Sequence, residues 1–487
     1  MMKLSNLAVG LGALVIGSTL VACGGGSTAN RGGGIGGTGV ALSNNYSGVI
    51  SGFGSIYVNG VRFNTDNSQF FVNGKLVNES ALAMGMLVRV EGDAEGESGT
   101  ANKVYFDAGI KGPVSGNIQI VGRNQIMIPV MGVTAVVDSQ ATEFAEVTFE
   151  QLQQNADLLK PGSMLELSGF YNAQGQFQVS YFELETAPFV ANVSEVQMIG
   201  NVTNLSDTQF SLVVSDGVAP FTISLATANF DGELAEGERV KVEGTLNTID
   251  SQDILALEID SLTPSEQQEV ELQGLISALD SQTSFTLNGI TVDASAVQLE
   301  SELSVDLLVE VEGVMVNKVL VAESIEVLRR KDEQEVSLST RVESVDLDAQ
   351  TLSLSAFGQP ISVVVNKRTK WDDDRDDVRR FNLEDIAVGD YLELDLFESD
   401  SQWVAEEVER EESEADVMLE VELASAHLDA ANQQVNVAGF TLSLTAETDI
   451  EGGMSVADFF TKAAQLDEVV LIDTNGDQQI DKILLDD

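Results

Sequence analysis

Few residues of this chain are equipped for nucleophilic or metal chemistry. One cysteine and one histidine among 487 residues exclude disulfide frameworks, cysteine-rich zinc sites and multi-histidine metal centres. We interpret the single imidazole, His427, as a partly exposed strand residue, because no serine or cysteine nucleophile motif lies near it. The 78 carboxylates remain. A carboxylate pair with one raised pKa can cleave glycosidic bonds, so a carboxylate-based polysaccharide hydrolase stays an alternative; we predict no catalytic residue and no enzymatic activity.

The first of two acidic clusters lies in the segment 371–377, in a loop that follows a predicted third strand. Asp372, Asp373 and Asp374 are consecutive there, and hard cations prefer such oxygen ligands. The other interpretation is a solvated loop whose charge is balanced locally by Arg375, Arg379 and Arg380. The sequence therefore predicts either a weak calcium site or an ordinary surface loop.

The second acidic cluster spans residues 473–481. Its oxygen-bearing residues have the spacing of positions one, three, five and nine of an EF-hand calcium loop, which makes them candidate metal ligands: Asp473, Asn475, Asp477 and Asp481. Gln478 stands where that loop has glycine, and Leu484 stands where it has a bidentate glutamate. A hairpin turn between two strands is the alternative, and weak calcium is the only cofactor that we predict.

Net charge narrows the class of partner. The 78 acidic and 25 basic residues give a formal charge of −53. Because proteins bind nucleic acid through cations that neutralise its phosphates, we predict no nucleic-acid partner. The chain is still 43% apolar, enough for several folded domains. Several aromatic residues at predicted loop edges could stack on sugars or could pack in the core: Tyr46, Phe53, Tyr57, Tyr171, Trp371 and Trp403.

The N-terminus has the pattern of a targeting segment. Lys3 precedes the apolar run Leu7–Leu20, which is too short to span a bilayer of about 30 Å. Residues 20–23, Leu-Val-Ala-Cys, resemble the lipobox of bacterial lipoproteins, which implies that 1–22 is a signal peptide and that Cys23 is lipidated. Gly24 rather than aspartate follows, which by the same resemblance implies the outer membrane. Residues 23–44 then form a glycine-rich tether.

One strand pattern recurs six times at intervals of about 75 residues. Its apolar and polar residues alternate, as in a half-buried strand, and glycine begins and ends the best copies. The copies are Gly85–Gly92, Gly162–Gly169, Gly237–Gly244 and Asp306–Gly313, with looser copies at Gly389–Leu396 and Asp467–Thr474. We expect the acids between its apolar residues, Glu166, Glu310 and Glu393, to face solvent.

The same order of elements surrounds each copy. Asn59-Gly60 and Asn288-Gly289 predict tight hairpins early in their units, and a short helix is expected before the recurring strand. In the second unit Phe149, Leu152, Ala156 and Leu159 share a helical face. Three strands, a helix and two strands are the order of the five-stranded OB-fold barrel.

The sequence thus predicts an all-β chain with short helices, a tandem array of small five-stranded OB-like barrels. The predicted modules are 45–108, 109–186, 187–263 and 264–330 (modules 1 to 4), followed by the divergent 331–412 and 413–487 (modules 5 and 6). Modules this small are marginal alone, so we expect neighbours to dock or share edge strands. We expect the result to be a rod or curved array.

The glycine-rich segment 32–39, the segment 52–63 and the recurring strand resemble bacterial envelope lipoproteins that carry tandem copies of domain of unknown function 5666. The resemblance implies architecture and location, and it brings no activity. We therefore predict a lipid-anchored outer-membrane protein, facing the periplasm or the cell surface, with a structural or binding role. A calcium-dependent or glycan-binding array is an alternative, and an envelope glycan or protein is a possible class of partner.

Overall fold

Alternating apolar residues make this chain a succession of short strands around small cores. The computed structural model describes residues 44–485 except 97, 231–232, 300, 330–334, 367, 377, 379–380, 400–401, 413–415, 467 and 476–478. The predicted signal peptide, Cys23 and the tether before Asn44 lie outside the described residues, as does Asp477.

The first three modules consist mainly of strands. Module 1 contains β1 (Asn44–Phe53), β2 (Ile56–Val58), β3 (Val61–Asn64), β4 (Gln69–Val72), β5 (Lys75–Val77), β6 (Leu87–Glu95) and β7 (Ser98–Phe106). Module 2 contains β8 (Ile110–Pro113), β9 (Gln119–Val121), β10 (Gln125–Val130), β11 (Val133–Asp138), β12 (Glu143–Ala145), helix α1 (Phe149–Gln154), β13 (Met164–Tyr171) and β14 (Phe177–Leu184). Module 3 contains β15 (Glu195–Thr203), β16 (Gln209–Val213), β17 (Phe221–Ser224), β18 (Asn229–Phe230), β19 (Arg239–Thr245) and β20 (Asp253–Ser261).

The last three modules repeat the plan. Module 4 contains β21 (Glu269–Ser281), β22 (Ser284–Leu287), β23 (Ile290–Asp293), β24 (Leu308–Val316) and β25 (Val319–Arg329). Module 5 contains β26 (Glu335–Asp346), β27 (Thr351–Ala356), β28 (Gln359–Val364), β29 (Lys370–Asp372), β30 (Tyr391–Ser399) and β31 (Gln402–Glu411). Module 6 contains β32 (Val417–Val421), β33 (Leu428–Asp429), β34 (Gln434–Val437), β35 (Phe440–Ile450), helix α2 (Val456–Lys462), β36 (Val469–Asp473) and β37 (Gln479–Leu485).

The strand pairing within a module closes a barrel, which confirms the predicted fold class. In module 4, β21 pairs with β22, β22 with β23 and β24 with β25, all antiparallel. The third and fifth strands, β23 and β25, pair in parallel, and β24 returns to β21. This is the order of the OB-fold, and modules 1, 3 and 5 close in the same way.

The position of the second glycine in the recurring strand requires glycine for a steric reason. In modules 1 to 4 it lies at a β-bulge between the fourth and fifth strands. A β-carbon built onto Gly313 would lie 2.2 Å from the carbonyl oxygen of Val321 on the facing strand, and Gly169 has the same conflict with Gln178. The bulge therefore requires a residue without a side chain.

The hairpin prediction is confirmed, whereas the helix prediction holds only in part. Asn288 and Gly289 have φ values of 50° and 74°, as a type I′ turn requires. Helix α1 buries Phe149 and Leu152, but Ala156 is exposed in the 3₁₀ turn that follows it. Modules 1 and 5 have a single 3₁₀ turn in place of the helix.

The sixth copy of the recurring strand lies one residue out of register with the other copies. The fourth residue of the other copies faces the core, as Val88 does in module 1, which predicts Val470 as a core residue here. Instead Val469 and Leu471 belong to the core cluster shared by modules 5 and 6, and Val470 is half-buried. A strand alternates with period two, so a slip of one residue exchanges its faces.

Three pairs of modules share sheets through their first strands. Strand β1 pairs in parallel with β21, so module 1 is joined to module 4, with Tyr46 opposite Glu271. Strand β8 pairs with β15, and β26 pairs with β32, which joins modules 2 and 3 and modules 5 and 6. The second strand of module 1 covers only the far end of β1, and the partner module covers the free edge at its start.

The shared edges were predicted, but their order was not. Chain neighbours share edge strands in modules 2 and 3 and in modules 5 and 6, as expected, but module 1 shares a sheet with module 4, which is not its neighbour in the chain. Module 2 also reaches module 6, where Arg123 pairs with Glu451. The described residues between 44 and 485 belong to one compact unit. No helix among the described residues is long and apolar enough to cross a bilayer.

Candidate functional site

The polar residues of the recurring strand do not face solvent, which corrects the sequence-based expectation. Glu166 is buried and binds Lys111 Nζ at 3.0 Å, and it also accepts a hydrogen bond from Asn73 of module 1 at 2.9 Å. Glu310 of module 4 pairs with Arg368 of module 5 at 3.1 Å. These side chains point away from their own barrels, but neighbouring modules cover that outer face.

Lys241 of module 3 is the most enclosed cation of this layer, with a side chain that is 3% exposed. Its ammonium group lies 2.9 Å from Asp107 of module 1, 3.0 Å from Glu243 and 2.9 Å from Asp260. Three carboxylates offset the loss of hydration, and together they hold the pKa of Lys241 above its usual value. Buried charge at the module contacts is therefore normally paired.

A cavity of about 350 Å³ lies where modules 1 to 4 meet. Each of the four modules contributes to its wall, with Asn45 and Arg89 from module 1, Tyr171 from module 2, Arg239 from module 3 and Gly289 from module 4. This volume is within the range of small-molecule sites. Since the wall is discontinuous in sequence, the cavity exists only because the modules associate.

Arg239 departs from the pairing seen at Lys241. Its backbone is fixed, because its N–H donates to Thr263 Oγ1 at 2.9 Å and its carbonyl accepts from Leu262 at 2.8 Å. The guanidinium packs against Gly289 of module 4, where an added β-carbon would lie 2.4 Å from Nη1. No carboxylate of the described residues pairs with it, and burial lowers the pKa of Arg239 to about 10. It is still a cation at neutral pH.

Oxygen atoms without partners also line the cavity. Within the described part of the chain, the Tyr171 hydroxyl, Asn201 Oδ1, Ser215 Oγ and Asn45 Oδ1 are buried and accept or donate no hydrogen bond. The amide of Asn201 is oriented by its other end, which donates to the carbonyl of Gly289 at 2.7 Å. A buried polar group without a partner costs about 1–3 kcal/mol. Four around one cavity are groups that a ligand could satisfy.

Sequence reasoning missed this site, although a signal was present. Arg239 is the third residue of the recurring strand, and the copies that share its register have Leu87, Met164, Leu308 and Tyr391 there. One arginine at an otherwise apolar position is the kind of departure that marks a site rather than a core. Of the other polar groups, Asn201 and Ser215 belong to module 3 as well, whereas Tyr171 and Asn45 come from modules 2 and 1, and no local pattern in the sequence connects them.

The acidic cluster at 372–374 is divided by the structure. Asp373 points inward and is buried, and Arg410 donates to it from Nε at 2.7 Å and from Nη2 at 2.5 Å. Asp372 and Asp374 point the other way and meet Glu409, with carboxylate oxygens of all three within 4.8 Å of one another. Side chains of an extended segment alternate, so three consecutive acids cannot share one ion. A divalent cation could be held by Asp372, Asp374 and Glu409.

Charge repulsion marks this cluster. Burial, followed by the charges of Asp374 and Glu407, raises the pKa of Glu409, and burial raises the pKa of Asp372 to about 6. The nearby cation Lys370 pairs with other acids. Its Nζ lies 3.2 Å from Glu407 and 3.8 Å from Glu143 of module 2.

The second acidic cluster begins at the end of β36 and ends in β37, and these two strands pair antiparallel. Asp481 accepts hydrogen bonds from the hydroxyl and the N–H of Thr474 and from Asn475, and Asp473 accepts from the N–H of Asn475. The described candidate ligands therefore make hydrogen bonds within their own segment, whereas Asp477 lies outside the described residues.

The other candidates have structural contacts. His427 lies in a 3₁₀ turn after the first strand of module 6, where its Nδ1 accepts a hydrogen bond from Ala424 at 3.1 Å. Tyr46 packs on Phe63, and Trp371 packs edge-on against Phe381. Phe53 is buried, and Tyr57 and Trp403 are half-buried.

Comparison with protein families shows what the chain is similar to. The model described as domain of unknown function (DUF5666) matches residues 47–104, 111–178, 199–260, 273–326 and 341–409. The chain belongs to this family. Each DUF5666 match lies within one of modules 1 to 5, and the tandem repetition of DUF5666 is thereby confirmed.

No curated protein matches the chain. Among solved structures, a Cu(II)-bound CusF variant from Escherichia coli is 13% identical and covers 16% of this chain and 94% of its own, with a TM-score of 0.13. Drosophila Unr CSD456 is 12% identical and covers 44% and 97%, with a TM-score of 0.11. A multidomain protein with nucleic acid binding domains from Streptococcus pneumoniae is 9% identical and covers 54% and 90%, with a TM-score of 0.14. We draw no functional conclusion from them.

Proposed function

We propose that this chain is a lipid-anchored envelope protein with a binding role, in which the DUF5666 modules act together and the cavity between modules 1 to 4 is the ligand site. The observation that carries the proposal is the cavity wall. Four modules contribute to it, and it holds a charged side chain and several buried oxygen atoms that lack partners. Buried polar groups are normally hydrogen-bonded, so each of these needs a partner, and a ligand in the cavity would supply one.

Anchorage is the second part of the proposal. The lipobox-like segment 20–23 supports diacylation of Cys23, and two or more acyl chains hold a folded body at a membrane. By the same resemblance we place the protein at the outer membrane, with an envelope glycan or protein as its possible macromolecular partner.

We favour binding over catalysis. The described residues that line the cavity include no histidine and no cysteine. Of its two acids, Asp107 is held by Lys241 at 2.9 Å and Asp216 is exposed. The net charge of −53 supports the absence of a nucleic-acid partner. A polysaccharide hydrolase would need turnover on envelope glycans, which an activity screen would detect.

Native mass spectrometry of the full-length chain, purified in detergent from its own membranes, tests the ligand site. We expect a bound small molecule that is released on unfolding. Ser215→Phe, which fills the cavity from its wall, should release it, whereas Ser304→Phe on an exposed turn should not. The proposal is contradicted if the native chain carries no bound small molecule, or if both variants retain the bound molecule equally.

Metabolic labelling with radioactive palmitate tests the anchor separately. The wild-type chain should incorporate label and fractionate with the outer membrane, and Cys23→Ala should do neither. Unmodified Cys23 in the native protein contradicts the anchorage without affecting the ligand site.

Calcium binding is the second candidate, and the meeting of Asp372, Asp374 and Glu409 favours it. Calorimetry with millimolar calcium should give heat and a rise in Tm that Asp374→Asn abolishes. Asp481→Asn, in the other acidic loop, is the matched control and should retain both. If the wild-type chain shows no heat of binding and no rise in Tm with calcium, this candidate is contradicted.

A further inference from the structure

The charges around the cavity between modules 1 to 4 indicate the chemical class of its ligand. The charged residues that line it are Arg89, Asp107, Asp216 and Arg239. Arg89 is neutralised by Glu91 at 2.7 Å and lies 4.0 Å above the ring of Tyr105. Asp107 is bound by Lys241, and Asp216 is exposed. Arg239 alone of these four is both partly buried and without a counter-charge among the described residues.

The absence of a counter-charge is unusual for this chain. Acidic residues outnumber basic ones by 78 to 25, and the cations at other module contacts have found carboxylates. Arg368 has Glu310 and Glu326, and Lys111 has Glu166 and Glu185. In such a surplus of acids, a guanidinium without one points to an anion that comes from outside the chain.

Other polar groups line the same cavity as Arg239. Tyr171 and Ser215 each carry a hydroxyl that can donate a hydrogen bond, and neither has a partner within the described part of the chain. Asn201 Oδ1 is an acceptor without a donor, which suits a hydroxyl or N–H on the same ligand. The buried apolar side chains of Val270 and Leu272 form another part of the wall.

We propose that the cavity binds a small organic carboxylate, with the carboxylate on Arg239 and an apolar body against Val270 and Leu272. A guanidinium matches the two oxygens of a carboxylate with two parallel hydrogen bonds. One available guanidinium neutralises one negative charge, because Arg89 already belongs to Glu91, so a phosphate dianion is less well served. This inference deepens the proposed function and rests on it.

Thermal shift and calorimetry on the full-length chain test the ligand class. The probes are hexanoate and benzoate, each paired with its neutral amide, and phenyl phosphate. Each carboxylate should bind at least about tenfold more tightly than its amide, because the charge-assisted pair with Arg239 is lost in the amide. Phenyl phosphate should bind more weakly than benzoate.

Arg239→Leu is the decisive variant, since modules 1 and 4 have leucine at the same position of the recurring strand and fold with it. It should keep the wild-type circular dichroism and lose at least about tenfold in carboxylate affinity. Arg239→Lys, which keeps the charge without the planar fork, should retain part of the affinity. Arg62→Leu, an exposed arginine of module 1, is the control and should change nothing.

Three outcomes overturn the inference, and two leave the proposed function intact. Amides that bind as tightly as carboxylates, with no effect of Arg239→Leu, would leave a binding cavity but no anion site. Phenyl phosphate tighter than benzoate would reassign the ligand class. If no probe of any charge binds, the carboxylate inference fails, and a native chain that also carries no small molecule removes the proposed function with it.

Discussion

Arg368 and Arg239 each lie against an Asn-Gly turn of another module, and their surroundings differ. Arg368 of module 5 packs on the Asn59-Gly60 turn of module 1 and pairs with Glu310 and Glu326. Arg239 of module 3 packs on the Asn288-Gly289 turn of module 4, and no carboxylate of the described residues pairs with it. The same type of contact carries carboxylate counter-charges in one place, although Arg368 Nε itself has no hydrogen-bond partner there, and in the other it is a cavity wall with an available cation.

The difference distinguishes an arginine that stabilises a contact between modules from an arginine that is available to a ligand. The fold loses stability when one partner of a partly buried ion pair is removed, because the other charge is left uncompensated. A charge that has no partner already destabilises the fold, so its removal costs little. Two neighbouring acids of module 5 show the same contrast between a paired and an unpaired charge. Asp373 is paired with Arg410, whereas its neighbour Asp374 lies against the carboxylates of Asp372 and Glu409.

The largest effect is expected where the pairing is most buried. Asp373→Ala leaves the Arg410 guanidinium, whose side chain is 7% exposed, without its main partner. Stability should fall by about 3–5 kcal/mol, as measured by urea unfolding followed through tryptophan fluorescence. Asp374→Ala, one residue away, should cause no loss. Equal losses in both variants would show that pairing does not distinguish the two acids.

Arg368→Leu should destabilise by about 2–3 kcal/mol, because Glu310 and Glu326 lose their counter-charge; the figure is below that for a fully buried pair since Arg368 is 36% exposed. The measurement is the urea midpoint at constant slope. A variant as stable as the wild type would mean that this ion-pair network contributes nothing to module contact.

A pH dependence should come from Glu271, which lies beside the same network. Burial, and then the charge of Glu310, raises the pKa of Glu271 to about 7. An acid with a raised folded-state pKa destabilises the fold when ionised, so the cost is absent below the unfolded pKa of about 4.3 and complete above about pH 7. Stability should therefore decrease by about 2 kcal/mol between pH 5 and pH 8.

Glu271→Gln is the matched variant for that titration. It should flatten the fall in Tm between pH 5 and pH 8 while leaving the acid-side stability unchanged. A wild-type chain whose stability rises over this range, or a variant with an unaltered profile, is the contrary result.

The smallest effect on stability is expected from Arg239→Leu. Removing an unpaired, partly buried cation and restoring an apolar residue should change the free energy of unfolding by less than about 1 kcal/mol. Differential scanning calorimetry in ligand-free buffer measures it against Arg368→Leu. A loss as large as that of Arg368→Leu would mean that Arg239 has a structural partner, and the contrast between the two arginines would not hold.

The barrel could be predicted from the sequence because its determinants are local. Alternating residues gave the strands, Asn288-Gly289 gave the turn, and the glycines of the recurring strand gave the repeat and, in the structure, the bulge. The register of the sixth copy failed since Val469, Val470, Leu471 and Ile472 are all apolar, and a continuous apolar run does not state which face is inside.

The module contacts could not be predicted, because nothing in a strand's own pattern names the module that covers it. Glu166 and Glu310 occupy outward positions of their barrels, as expected, but outward is not exposed when another module lies there. Asp373 and Asp374 were treated as one cluster, and only the backbone geometry separates them. Arg239 was visible as a departure from the repeat, whereas Tyr171, Ser215 and Asn201 were not.

Hydrogen–deuterium exchange of the full-length chain with and without saturating hexanoate tests the central claim most directly, because one experiment reports on every module. A ligand enclosed jointly by modules 1 to 4 should slow exchange in peptides from all four, at 45–47, 168–171, 199–201 and 286–291, and leave modules 5 and 6 unchanged. Protection confined to one module, or found only in modules 5 and 6, would contradict a site shared by the first four.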